Sequence, residues 1–201
     1  GKSTFINALL GTQLLPTAIV PLTAIPTVLR YGENLGVYAI HRNGVIEEIS
    51  LEQMPDFVTE KGNPKNIKGV REVQISYPSE FLKQGIILVD TPGVGSVYQH
   101  NTETAYAYLP NSDAAAFIIS IDAPLSKIEL EYLKEVSKYV NKLFYILNKV
   151  DIATAEDVTE AGAFALETLK SQLGGEDYEL FPLSARQALQ GRTGVGKAIL
   201  L

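Results

Sequence analysis

The first eleven residues, GKSTFINALLG, restrict the possible folds more than any other stretch. Gly1-Lys2-Ser3-Thr4 is the second half of a phosphate-binding loop of the form G-x-x-x-x-G-K-[ST]. In such a loop backbone N–H groups wrap a phosphate, the lysine reaches the β- and γ-phosphates, and the hydroxyl ligates Mg²⁺. The loop must open onto a helix, whose N-terminus adds a favourable field for an anion. Phe5, Ile6, Leu9 and Leu10 lie at helical spacing, and Gly11 is placed to cap the end. The sequence opens inside the motif. The chain is therefore read as a trimmed piece of a longer protein, missing the first glycine of the loop and the strand before it, and is expected to be impaired by itself.

Composition narrows the function classes. A chain of 201 residues suits a single domain. The net charge of −6 argues against a nucleic-acid-binding face, which would carry a basic stripe. Without cysteine there is neither a disulfide framework nor a thiolate site. His41 and His100 are far apart in sequence, which disfavours a histidine zinc site. The longest apolar runs have strand length, so none spans a membrane as a helix.

Two halves of the sequence differ in pattern. In the first, Pro16 and Pro21 make residues 12–24 a loop. A strand is expected at 25–31, with Pro26 at its start. Strands at 36–42 and 45–49 flank Asn43-Gly44, a strong hairpin signal. A short helix is expected from Ser50 through 51–60, although Pro55, which disfavours a helix interior, falls inside it. Residues 61–69 read as a polar loop, and 70–77 alternate like an antiparallel strand with Val73 and Ile75 on one face. In the second half, apolar runs at 86–89, 114–121, 143–147 and 179–183 read as parallel strands buried on both faces. Helices fall between them. Ser126-x-x-Glu129 is a capping box with Ile128, Leu133 and Val136 as its apolar stripe, and Thr154-x-x-Asp157 opens a helix ending at Gly174-Gly175. The expected fold is α/β: a mixed, mostly parallel sheet with helices on both faces and an antiparallel hairpin extension.

Three further motifs carry chemistry. Asp90-Thr91-Pro92-Gly93 ends the run ILVD, where an open α/β sheet binds its ligands. There Asp90 can hold Mg²⁺ through water, and the Gly93 N–H can meet a γ-phosphate. The same residues also make a good turn. Asn148-Lys149-Val150-Asp151 follows the run FYIL. The Asp151 carboxylate can accept both N1–H and N2–H₂ of guanine, Asn148 can brace loops, and the Lys149 stem can lie over the base. Ser184-Ala185-Arg186 is small enough at its first two positions for backbone N–H groups to approach a base carbonyl, though serine is also a good helix N-cap. Gly191 to Ala198 imitates a second phosphate loop, but Ala198 replaces the hydroxyl and no buried strand precedes it, so it reads as a turn into a final helix.

In this order the motifs form the signature of the GTPase superfamily. LLPTAIVPLTAIPTVLRYG resembles the first switch region of the dynamin family, and DTPGVGS followed by SDAAAFIISIDAPLS resembles its bacterial branch. The resemblance implies that Thr23 ligates Mg²⁺ and fixes the attacking water, with Thr17 and Thr27 as rivals. It implies Mg²⁺ held by Ser3, Thr23 and Asp90, with Lys2, Thr23 and Gly93 as the catalytic set. It also implies GTP and GDP as substrate and product, and a monovalent cation as a further cofactor. Implied partners are a second copy across the nucleotide face and a membrane, reached through regions outside this chain, with a cytoplasmic, membrane-associated location. NKVD departs from the T-K-x-D of eukaryotic dynamins, and the EHD branch combines N-K-x-D with adenine nucleotides. Two alternatives stand beside GTP hydrolysis in membrane remodelling: a ribosome-assembly GTPase, and a nucleotide-dependent scaffold without turnover.

Overall fold

A computed structural model describes residues 1–17, 23–93, 106–122, 125–175 and 177–194. The chain divides into two compact units, one of residues 9–105 and one combining residues 1–8 with 106–201.

The unit of residues 9–105 is built on a five-stranded sheet in the order β3-β2-β4-β1-β5. Its strands are β1 (Thr27–Tyr31), β2 (Gly36–His41), β3 (Ile46–Ile49), β4 (Val70–Tyr77) and β5 (Leu88–Asp90). The β2–β3 hairpin turns at Gly44, which takes φ 87°. The Asn43 side chain accepts the Val45 N–H at 3.0 Å, and Asn43 itself keeps a negative φ. The loop is thus a turn with one left-handed glycine and not the two-residue type in which both central residues are left-handed.

Strand β4 runs antiparallel to β2 and parallel to β1. Val73 and Ile75 are fully buried, as alternation requires. Val70 would fall on the opposite face by simple alternation. A register shift opposite Ile40 and His41 inserts an extra residue, and Val70 is buried too. Two expectations change here. The run 86–89 is not a parallel strand: β5 pairs antiparallel with β1, and Ile87 is exposed. The helix expected from Ser50 is only α2 (Pro55–Val58). Pro55 stands at its first position, where the missing N–H costs no helical bond, so the helix starts at the proline. Gly62 lies so close to α2 that a Cβ there would sit 2.5 Å from Asp56 Cα and the Pro55 carbonyl oxygen.

The other unit carries a parallel sheet, β6 (Ala114–Ser120), β7 (Lys142–Asn148) and β8 (Leu180–Leu183), in that order. Its helices include α1 (Lys2–Leu10, residues 2–8 of which belong to this unit), α3 (Lys127–Tyr139), α4 (Ala155–Leu173) and α5 (Ala185–Arg192). Both capping boxes form: Ser126 Oγ accepts from Glu129 N and Thr154 Oγ1 from Asp157 N, with each acidic side chain returning to the cap N–H. Helix α4 ends at Gly174, whose φ of 75° a side chain would resist. Leu133 and Val136 of α3 are buried, but Ile128 is 51% exposed and drops out of the expected stripe. Leu133 and Leu169 close over Tyr145 of β7, while Ile119, Leu147 and Ala165 form a second cluster.

Candidate nucleotide-binding site

The parallel register brings three strand ends level. Ser120 faces Asn148, and Asn148 faces Leu183. The residues just beyond each strand therefore meet at the carboxyl edge of one sheet, where α/β folds bind ligands.

Asn148 is the brace of this edge. The residue is 3% exposed, and its Oδ1 accepts N–H groups from Lys149 at 2.8 Å and Ala185 at 3.0 Å. The second bond ties the end of β7 to the turn between β8 and α5. Ser184 caps α5, its Oγ accepting the Gln187 N–H at 3.1 Å. Lys149 stands in the left-handed region with φ 70°, a costly place for a side-chain-bearing residue and one that concentrates at functional sites. This kink turns the chain into the 3-10 turn Val150–Ile152 that presents Asp151.

Two ion pairs cross the edge. Lys149 Nζ reaches both oxygens of Asp122, at 2.9 and 3.1 Å. The Ser120 hydroxyl donates to the same carboxylate, and it, followed by Lys149, holds Asp122 below the usual aspartate range. Asp151 Oδ2 accepts from Arg186 Nη2; the Asp151 side chain is 3% exposed and that of Arg186 64%. Asp122 was not singled out in the sequence. Its only signal is an acid directly after the apolar run 114–121, which also describes an ordinary turn.

In the same unit Gly1 precedes α1, and its carbonyl accepts the Phe5 N–H at 3.0 Å. Lys2, Ser3 and Thr4 form the first turn of α1, and the amides of a first turn point out of the helix end. The α5 residue Arg192 donates to the Ala8 carbonyl at 3.3 Å, linking α5 to α1.

Thr23, Asp90 and Gly93 belong to the unit of residues 9–105. Thr23 forms an isolated antiparallel bridge with Thr59, and the N–H groups of Ala24 and Ile25 both reach the Val58 carbonyl, at 2.7 and 3.3 Å. Thr27 is the first residue of β1 and is buried, paired opposite Asp90; Thr17 is exposed. Asp90 ends β5 at 3% exposure, and Gly93 is half-buried. Val94, His100 and the Gly196-Lys197-Ala198 end of the imitation loop lie outside the described residues.

The mixed α/β fold, with its parallel sheet, helices and antiparallel strands, is that of the P-loop GTPases. Residues 1–150 match the model of the dynamin family, and the chain belongs to that family. It is 40% identical over 192 residues to a protein encoded in the xynA 3′ region of Caldicellulosiruptor sp., covering 96% of this chain and 48% of that one. It is 32% identical over 167 residues to the bacterial dynamin-like protein of Nostoc punctiforme, covering 75% and 23%. A solved oligomerised bacterial dynamin pair shares the fold with a TM-score of 0.75 at 22% identity, covering 96% of this chain and 33% of that one. The chain spans about half the length, or less, of these relatives.

Proposed function

We propose that this chain binds GTP with Mg²⁺ and hydrolyses it as the GTPase domain of a dynamin-like, membrane-remodelling protein. The observation that supports this best is the buried Asp151 carboxylate, held on a kinked turn beside the Asn148 brace. A carboxylate there accepts two donors at once, which guanine offers and adenine does not. Lys149 carries its stem across the same edge toward Asp122, where it can cover the base plane.

At the phosphate end, the amides of the first turn of α1 and the Lys2 ammonium draw the β- and γ-phosphates. Ser3, Thr23 and Asp90 offer only oxygen donors. That donor set fits Mg²⁺, which takes one or two protein oxygens, substrate phosphates and water. Bound Mg²⁺ supplies neutralisation of the charge shared by the β- and γ-phosphate oxygens. The Gly93 N–H meets the γ-phosphate, and Thr23 orients the attacking water. The valine side chain at position 94 has no hydrogen-bonding group, so water must otherwise be held by backbone or by a second copy facing the nucleotide. Turnover is therefore slow in dilute protein and rises on self-association. Membrane contact comes from parts of the protein outside this chain, placing it at the cytoplasmic side of a membrane; among the described residues no helix is long and apolar enough to cross one.

Phosphate release from GTP by the intact protein, measured across a wide concentration range, tests the proposal. Turnover per molecule should rise with concentration, and Thr23→Ala should lower it at least about tenfold while leaving GDP affinity nearly unchanged, because the threonine acts only on the triphosphate state. GTP binding with no phosphate release above the Lys2→Ala variant would instead establish a scaffold without turnover.

A further inference from the structure

We propose that Arg186 is a built-in competitor of the nucleotide base for Asp151, a latch that guanine must displace to bind. The inference rests on the reading of Asp151 as the base-recognising carboxylate.

The two ends of the ion pair sit in different surroundings. The Asp151 side chain is 3% exposed, whereas the Arg186 side chain is 64% exposed. A base that gives two donors needs both carboxylate oxygens, and Arg186 Nη2 occupies one of them, Oδ2. Chemistry makes the competition direct. A guanidinium presents parallel N–H donors in a planar fork. The N1–H and N2–H₂ edge of guanine presents the same kind of paired donors. Both cannot take the same carboxylate face together, so base entry requires the guanidinium to swing out.

The pair is poorly suited to a purely structural role. One end is two-thirds exposed, and exposed ion pairs contribute little to stability. The β8–α5 turn is held without it, by the Asn148–Ala185 bond and the Ser184 cap. Arg186 lies in the first turn of α5, and its long stem lets the head reach water without moving the backbone. With the latch closed, only the fraction of molecules with a free carboxylate is competent, and apparent affinity falls by that fraction. GDP and GTP carry the same base and should be affected equally.

A double-mutant cycle on the intact protein tests the latch. Arg186→Ala should raise GDP and GTP affinity by the same factor, about twofold to fivefold, mostly through faster association, as expected for loss of a partly exposed pair. In an Asp151→Asn background, where the carboxamide does not attract a guanidinium and xanthosine diphosphate becomes the ligand, Arg186→Ala should leave affinity unchanged. Unchanged or weaker GDP binding in Arg186→Ala overturns the latch, as does an equal gain in both backgrounds, which would mean that the effect bypasses Asp151. Failure of the underlying reading looks different: none of the four proteins would distinguish guanine or xanthine nucleotides from adenine nucleotides, and the latch falls with it.

Discussion

Asn148 shows how one side chain can hold a site together. Its single oxygen takes two backbone amides from different elements, in a place with almost no access to water. Asn148→Ala would strand both donors, and each buried unsatisfied donor costs about 1–3 kcal/mol. The variant should melt at lower temperature and bind nucleotide at least about tenfold more weakly. Asn148→Asp keeps an acceptor at the same position and should retain most of the stability; thermal unfolding of the two variants side by side checks this. Asn148 and Asp151 could be singled out in the sequence because they follow a buried run, and the structure sets them at the carboxyl end of β7 and in the turn after it. Asp122 could not be singled out. It acquires a role only through the parallel register that sets the end of β6 beside Lys149, and pairing of that kind leaves no mark on neighbouring residues.

Among the elements, the legible ones carry their own local chemistry. Helices α3 and α4 announce their starts through capping boxes, the hairpin through Asn43-Gly44, and the end of α4 through Gly174. Strand direction does not show in this way. The run at 86–89 is apolar like its parallel counterparts, but β5 lies antiparallel to β1, because burial pattern reports faces and not orientation. Helix α3 carries a testable consequence of burial. Tyr132 packs edge-on against Tyr106, with ring centroids 5.1 Å apart, beside Leu109, Val136 and Val140. Burial first, and then Tyr106, pushes its phenol up to about 12. An unfolded tyrosine ionises near about pH 10. The fold therefore favours the neutral phenol: its contribution is complete below about pH 10 and is lost as pH rises toward about 12. Tyr132→Phe should lose less stability than the unaltered protein between about pH 9 and about pH 11.5, read from denaturant midpoints. Equal losses would mean that Tyr132 titrates as if exposed.

At the scale of the whole molecule, the motifs are divided between two compact units. One carries Gly1 to Thr4 together with Asn148, Lys149, Asp151 and Ser184 to Arg186; the other carries Thr23, Asp90 and Gly93. The order of these motifs pointed to the GTPase superfamily, the stretches LLPTAIVPLTAIPTVLRYG and DTPGVGS pointed to the dynamin family, and the family match over residues 1–150 bears that out. The division itself could not be read, because sequence spacing does not report which strands share a sheet. Nucleotide competition on the intact protein tests whether Asp151 reads guanine. The unaltered protein should prefer GTP over ATP by roughly 10⁴–10⁵, the discrimination of a site built to hydrogen-bond its ligand. Asp151→Asn replaces an acceptor with a donor. It should weaken GTP and gain xanthosine triphosphate, which carries a carbonyl where guanine has its amine. If the unaltered protein prefers ATP, or the Asp151→Asn protein still prefers GTP, then Asp151 does not read the base.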